Sequence, residues 1–133
     1  MDKAWRPHYT VFVTRLGAAL KAMNPPRLLS VTVQDFPNPN DESSMAFDYE
    51  ALGRVADQVR VMLYDYSYDK PGPIMPHGWY EDDLAFAAAH IPKGKFIAAL
   101  PWYGRDWTEN GPDHEDLFWM NKEWTPGWTD SRR

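Results

Sequence analysis

Three short apolar runs, separated by segments with helical periodicity, constrain the fold of this 133-residue chain more than any other feature. The runs cover residues 28–33, 59–63 and 96–100, are rich in β-branched or small apolar residues, and begin about 31 and 37 residues apart. Nearly continuous apolar strands that alternate with helices are typical of parallel sheets. The pattern therefore predicts α/β architecture in which all three strands run in the same direction.

The first predicted helix runs from His8 to Met23. Its apolar residues recur at intervals of three and four, which predicts one stripe facing a core, and the prolines that follow cannot continue the helix. The residues of this stripe are Phe12, Leu16, Ala19, Leu20 and Met23.

Two further helices lie between the strands. Asp48 is a candidate N-cap for a helix that reaches about Ala56, with Tyr49, Leu52 and Val55 or Ala56 on its inner face. Acidic side chains favour helix N-termini, so Glu81, Asp82 and Asp83 are predicted to open the third helix. The predicted inner face of this helix consists of Leu84, Phe86, Ala87, Ala88 and Ile91.

Polar and aromatic side chains follow each predicted strand. Gln34 follows the first strand, Tyr64, Asp65 and Tyr66 follow the second, and Trp102 with Tyr103 follows the third. The carboxyl ends of parallel strands share one rim, where ligands bind in α/β folds, so these residues form a candidate site. The alternative is that the second strand simply enters a turn, where aspartate is common. The loop over residues 67–78 is longer than most strand-to-helix connections, which favours a functional loop.

Composition excludes several functions. The net charge is −5 and no cluster of Lys or Arg occurs, which argues against nucleic acid and against an anionic membrane surface. No cysteine is present for a disulfide or a thiolate metal site, and the four histidines lack paired ligand spacing, so no metal is predicted. No apolar run approaches a membrane span, and the N-terminus lacks the apolar core of a signal peptide, which leaves localisation open.

Seven tryptophans are the compositional oddity, and several lie in Gly- and Pro-rich segments. Such tryptophans either cover a core or provide a platform for a flat ligand such as a sugar ring. For any single one, covering the core is the more common role. The residues concerned are Trp79, Trp102, Trp107, Trp124 and Trp128.

The order and spacing of several stretches resemble the second half of family 18 glycoside hydrolases, above all its chitinase-like and spore-cortex branch. The more specific stretches are the Met-x-Tyr-Asp strand end at 62–65 and the Leu-Pro-x-Tyr-Gly strand end at 100–104. The resemblance covers about residues 8–107 and implies a partial (β/α)8 barrel, strands five to seven with their helices. Residues 1–107 are therefore expected to form the partial barrel domain. For the polar tail 108–133, a divergent loop, a sequence run past the natural reading and a disordered end stay open.

The resemblance also implies an activity and a catalytic residue outside these stretches. Such enzymes cleave β-1,4 bonds beside N-acetylated sugars, with the substrate's own acetamido oxygen as nucleophile and one protein acid as proton donor. In the family that acid is the Glu of an Asp-x-x-Asp-x-Asp-x-Glu motif, which does not occur in these 133 residues. The expectation is a glycosidase fragment without its general acid; the alternative is a non-catalytic carbohydrate-binding remnant.

Roles carried over from the resemblance are auxiliary. Tyr64 would hydrogen-bond the acetamido group, and Asp65 would contact the same sugar. The implied ligand is an N-acetylglucosamine-containing glycan, the implied partner is a complementary half-barrel chain, and no cofactor is implied. The family is usually secreted or associated with cell walls or spores. The implied substrate-binding residues are Gln34, Tyr66, Trp79, Trp102 and Tyr103.

Overall fold

The computed structural model describes residues 2–35 and 44–107 and the backbone of residues 114–118. Short 3-10 turns at Lys3–Trp5 and Ser44–Ala46 precede the first and second α-helices. The helices and strands, in chain order, are α1 (Arg6–Lys21), β1 (Ser30–Val33), α2 (Tyr49–Val55), β2 (Gln58–Met62), α3 (His77–His90), β3 (Phe96–Ala99), β4 (Tyr103–Trp107) and β5 (His114–Phe118).

Strands β1, β2 and β3 form one parallel sheet with β2 in the middle. Val31 is paired with Val59, and Val59 in turn with Phe96, so the three strands are nearly level and their carboxyl ends lie at one edge. The predicted α/β class and parallel strand direction are confirmed, and the sheet is consistent with a segment of a barrel. Strands β4 and β5 form a separate antiparallel pair, with β5 inside the segment interpreted as a polar tail.

The core lies between the sheet and the helices. Burial alternates along β1 and β2: Val31, Val33, Val59 and Val61 are buried, whereas the residues between them, such as Thr32, are exposed or half-buried. The buried valines share one apolar cluster with residues from all three helices, so the helices cover one face of the sheet. The members contributed by the helices are Val13, Tyr49, Leu52 and Ala87.

The predicted inner stripe of α1 is wrong for most of its residues, although Leu20 does pack against the core. Phe12 is 59% exposed and Leu16 37%, whereas Val13 and Gly17 are buried. Gly17 faces the chain entering β1: a Cβ at this position would lie 3.2 Å from Leu29 Cδ2. Helix α1 approaches β1 through its smallest residue, and the side chains of Phe12 and Leu16 lie outside this contact. Met23, the last residue of the predicted stripe, lies beyond the helix and is 49% exposed.

Helix α2 follows the sequence prediction closely and is fixed at both ends. Asp48 Oδ1 accepts a hydrogen bond from the Ala51 amide at 2.9 Å, as expected of an N-cap. At the other end Lys95 Nζ donates to the carbonyl oxygens of Gly53 and Ala56 at 2.9 and 2.7 Å. These carbonyls have no partner within the helix, so the ammonium group satisfies them and opposes the helix dipole.

Helix α3 begins at His77, one turn before the acidic residues that were predicted to open it. Pro76 precedes it in an extended conformation, and its ring fixes the backbone angle from which the helix starts. Asp83 therefore falls inside the helix and is 1% exposed, which contradicts its predicted place at the helix start. Ala88, predicted to face inward, is exposed.

None of the described helices is long and apolar enough to cross a membrane.

The Tyr49 phenol is buried where α2 meets the end of β1, and its hydroxyl donates to the Gln34 carbonyl oxygen. Burial raises the pKa of Tyr49 well above its ordinary value of 10.0, and the negative charges of Asp83 and Asp35 raise it further. The folded chain therefore keeps this phenol neutral at a pH at which the unfolded chain ionises it.

The stability of the chain is expected to fall as the pH rises above 10, because only the unfolded state then releases the Tyr49 proton. The slope from this one group approaches about 1.4 kcal/mol per pH unit. Urea unfolding at pH 8 to 11 measures it, with Tyr49→Phe as the comparison. The variant should be less stable at pH 8 and should lose less stability between pH 10 and 11; equal slopes for both proteins would contradict the assignment.

Candidate active site

The candidate site lies where β2 ends. Leu63 is fully buried, and its amide donates to the Ala99 carbonyl at 2.9 Å, which extends the pairing with β3 by one residue. Two residues later Asp65 adopts a φ of 65°. This left-handed conformation is unfavourable for most residues, although aspartate tolerates it better than β-branched or bulky ones. Strained backbone positions of this kind cluster at functional sites.

The Asp65 carboxylate is held by two residues of β4. Tyr103 donates its hydroxyl to Asp65 Oδ1, and Arg105 Nη2 contacts the same oxygen at 2.6 Å. The Arg105 side chain is only 4% exposed and that of Asp65 is 35% exposed. In the described part of the chain no residue donates to Asp65 Oδ2. The carboxylate is therefore oriented through one oxygen, and the other can accept a hydrogen bond from a ligand.

Arg105 is the site residue that the sequence interpretation missed. A signal for it was present, because residues 103 and 105 lie on the same face of a strand and Tyr103 had already been assigned to the site. Without a predicted strand over 103–107 there was no reason to apply that periodicity. The arginine also donates from Nη1 to the Ser67 carbonyl at 2.8 Å, so it joins the carboxylate to the loop that follows it.

Four of the predicted aromatic residues form two ring pairs. The Tyr64 ring meets the Tyr103 ring edge-on, with centroids 6.4 Å apart. The Tyr66 ring lies against Trp79 at the start of α3, with centroids 5.5 Å apart, and Tyr66 is 55% exposed. Trp102 is 76% exposed on the connection between β3 and β4.

Gln34 follows β1 at the same edge of the sheet. Its backbone carbonyl accepts from Tyr49, and its side-chain Oε1 is buried with no hydrogen-bond partner among the described residues. A buried acceptor of this kind requires a donor from a ligand, water or another part of the chain. The structure thus brings Gln34 to the predicted rim.

The parts of the chain that the structure describes contain no cluster of three or more potential metal-binding side chains.

The site combines an oriented carboxylate, phenol groups and partly exposed aromatic rings at the carboxyl edge of a parallel sheet. This arrangement defines an α/β protein whose site suits a neutral, hydroxyl-rich ligand that both donates hydrogen bonds and stacks on rings. Residues 3–132 match the family model described as glycosyl hydrolases family 18, so the chain belongs to that family. The match continues past Trp107, through the segment interpreted as a tail.

Individual relatives agree with this assignment. The uncharacterized glycosylase YvbX of Bacillus subtilis is 32% identical over 104 residues, which is 77% of this chain and 30% of the relative. A crystal structure of a chitinase from Chromobacterium violaceum superimposes with a TM-score of 0.80 at 33% identity, covering 90% of this chain and 38% of that one. The Bacillus cereus spore cortex-lytic enzyme SleL has a TM-score of 0.75 at 25% identity, covering 90% and 29%.

The chain spans about a third of the length of these proteins. Its similarity to them therefore concerns the segment that holds α1 to β5, and the activity of a whole relative is not transferred by the match alone.

Proposed function

We propose that this chain provides the sugar-holding side of a family 18 glycosidase site, acting on β-1,4-linked N-acetylated glycans such as chitin or peptidoglycan. The observation that carries the proposal is the Asp65 carboxylate, fixed by Tyr103 and Arg105 at a strained strand end with Tyr64 beside it. A carboxylate held in this way accepts hydrogen bonds, which is a positioning role.

In the proposed reaction the acetamido oxygen of the substrate attacks the anomeric carbon while a protein acid protonates the departing oxygen. Tyr64 donates a hydrogen bond to the acetamido group, and Asp65 accepts one through Oδ2. Both contacts orient the attacking group, and orientation of reacting atoms accounts for much of the acceleration in intramolecular reactions. The sugar rings are proposed to lie against Tyr66, Trp79 and Trp102. Gln34 is proposed to exchange a hydrogen bond with a polar group of the sugar.

The general acid is proposed to come from outside these 133 residues, since they lack the family's Asp-x-x-Asp-x-Asp-x-Glu motif. A complementary half-barrel is the partner that this proposal requires. Two features of the described chain favour it: β1 is an outer strand of the sheet, and α1 exposes Phe12 and Leu16. The second candidate function is carbohydrate binding without catalysis, favoured by the exposure of the aromatic residues at the rim.

The proposal is tested by titrating the 133-residue chain with N-acetylglucosamine tetrasaccharide and with the corresponding glucose tetrasaccharide. The acetylated ligand should bind and the glucose ligand should not, because Tyr64 and Asp65 contact the acetamido group. Tyr64→Phe should weaken binding about tenfold, the equivalent of one hydrogen bond of about 1.4 kcal/mol.

Tyr80→Phe is the matched control, since it removes a phenol hydroxyl from α3 and should leave binding unchanged. No hydrolysis of a chromogenic chitobioside is expected from the chain alone. Equal binding of the two tetrasaccharides would contradict the acetamido role, and turnover above that of Tyr64→Phe would show that the chain has its own acid.

A further inference from the structure

The loop that joins β2 to α3 is closed at its base. The Tyr66 amide donates to the Ile74 carbonyl at 3.0 Å, so residues 67–73 leave and return at one point. Within this excursion Ser67 is 3% exposed and packs directly beneath Gly72. A Cβ at position 72 would lie 2.3 Å from Ser67 Oγ and 3.0 Å from Ser67 Cβ. A side chain at position 72 would force the Ser67 hydroxyl to move and would still crowd Ser67 Cβ, so glycine allows the loop to pass close over the serine.

Arg105 connects this loop to the candidate site. One guanidinium nitrogen donates to the Ser67 carbonyl at 2.8 Å and the other contacts Asp65 at 2.6 Å. The Tyr68 ring lies over the same guanidinium, with its centroid 5.3 Å from Cζ. Because a planar guanidinium is attracted to an aromatic ring face, the Tyr68 ring has a defined position relative to the site carboxylate.

Tyr68 nevertheless remains 65% exposed. The fold therefore holds the Tyr68 ring in a defined position without burying it. Aromatic rings held in this way provide large contact surfaces at little further entropic cost, and the apolar faces of sugar rings are suitable partners.

We propose that Tyr68 is an outer sugar contact, which stacks on a glycan unit next to the one held by Tyr64 and Asp65. The inference rests on the proposed glycan binding and extends it from one sugar unit to two or more. Arg105 and Gly72 act as positioning residues for this contact. The proposal implies that the chain distinguishes glycans by length, because a short oligomer fills the inner position without reaching Tyr68.

The test compares N-acetylglucosamine disaccharide and tetrasaccharide binding to the 133-residue chain by isothermal titration. Tyr68→Ala should weaken tetrasaccharide binding about tenfold, in the range of one aromatic contact, and leave disaccharide binding unchanged. Tyr68→Phe keeps the ring and should bind both ligands as the wild type does. Gly72→Ala, which displaces the loop, should behave like Tyr68→Ala.

Trp5→Ala is the matched control, because Trp5 is 59% exposed on the N-terminal 3-10 turn and lies outside the candidate site. Unchanged tetrasaccharide binding by Tyr68→Ala would overturn the outer contact while leaving the proposed function intact. If Tyr68→Ala weakened binding of the disaccharide and the tetrasaccharide equally, Tyr68 would not be an outer contact. A wild-type chain that binds neither ligand would overturn the proposed function and this inference with it.

Discussion

Replacing Arg105 with alanine is expected to lower the free energy of unfolding by about 3 kcal/mol and to abolish glycan binding. The guanidinium is buried, and it contacts both the Asp65 carboxylate and the Ser67 carbonyl. Its removal leaves both acceptors without this donor, in a place where burial makes the loss costly. The expected loss lies at the lower end for a broken buried ion pair because Asp65 itself is 35% exposed to solvent.

Arg60→Ala provides the matched control for this experiment. Arg60 lies on β2 and is exposed, so its truncation should change stability by less than about 0.5 kcal/mol. Arg105→Lys separates charge from geometry, since an ammonium group cannot contact Asp65 and Ser67 in the same forked arrangement. Urea unfolding and tetrasaccharide titration are the measurements. An Arg105→Ala chain as stable as Arg60→Ala, with binding intact, would show that the arginine does not organise the site.

The double change Phe12→Lys and Leu16→Lys is expected to weaken self-association of the chain without disturbing its fold, so that variant and wild type melt at the same temperature once both are diluted to monomers. Both side chains are exposed on α1, at 59% and 37%, so the fold does not depend on them. Because the two side chains are only partly exposed, burying the rest of them in an interface contributes about 2 kcal/mol, which corresponds to about thirtyfold in association. The apolar surface would face the half-barrel that the proposed function requires.

Sedimentation velocity at several concentrations, together with thermal unfolding, measures both effects. The control changes Thr14 and Ala18 to lysine, because these residues are exposed on the opposite side of α1 and the added charge is the same. This control should associate like the wild type. A lower melting temperature for the Phe12 and Leu16 variant at a concentration at which the wild type is also monomeric would instead show that the two side chains contribute to the fold itself.

The strands and the order of the helices could be predicted from the sequence because apolar runs and proline breaks are local signals. The orientation of α1 could not. Phe12 and Leu16 form an apolar stripe as regular as the one through Val13 and Gly17, and periodicity does not indicate which stripe meets the sheet. The stripe that contains Gly17 faces the sheet, because the missing side chain of this residue allows α1 to approach Leu29 closely.

The site was predictable in part for a similar reason. Tyr64 and Asp65 are visible as polar residues that end an apolar strand, and parallel pairing brings Gln34 to the same edge. The contact of Arg105 with Asp65 joins residues 40 positions apart through a strand that the sequence did not reveal. Likewise Asp83 looked like a helix-opening acid, because its burial depends on where Pro76 starts α3.

The left-handed backbone at Asp65 limits how this site could change over evolutionary time. A single-base mutation to glutamate would lengthen the acid by one methylene, but the longer side chain tolerates this conformation less well and would lose about 1 kcal/mol. It would also move the carboxylate away from Tyr103 and Arg105. A proton donor is therefore not readily acquired by lengthening the acid at this strand end, and the general acid of the proposed reaction has to be another residue.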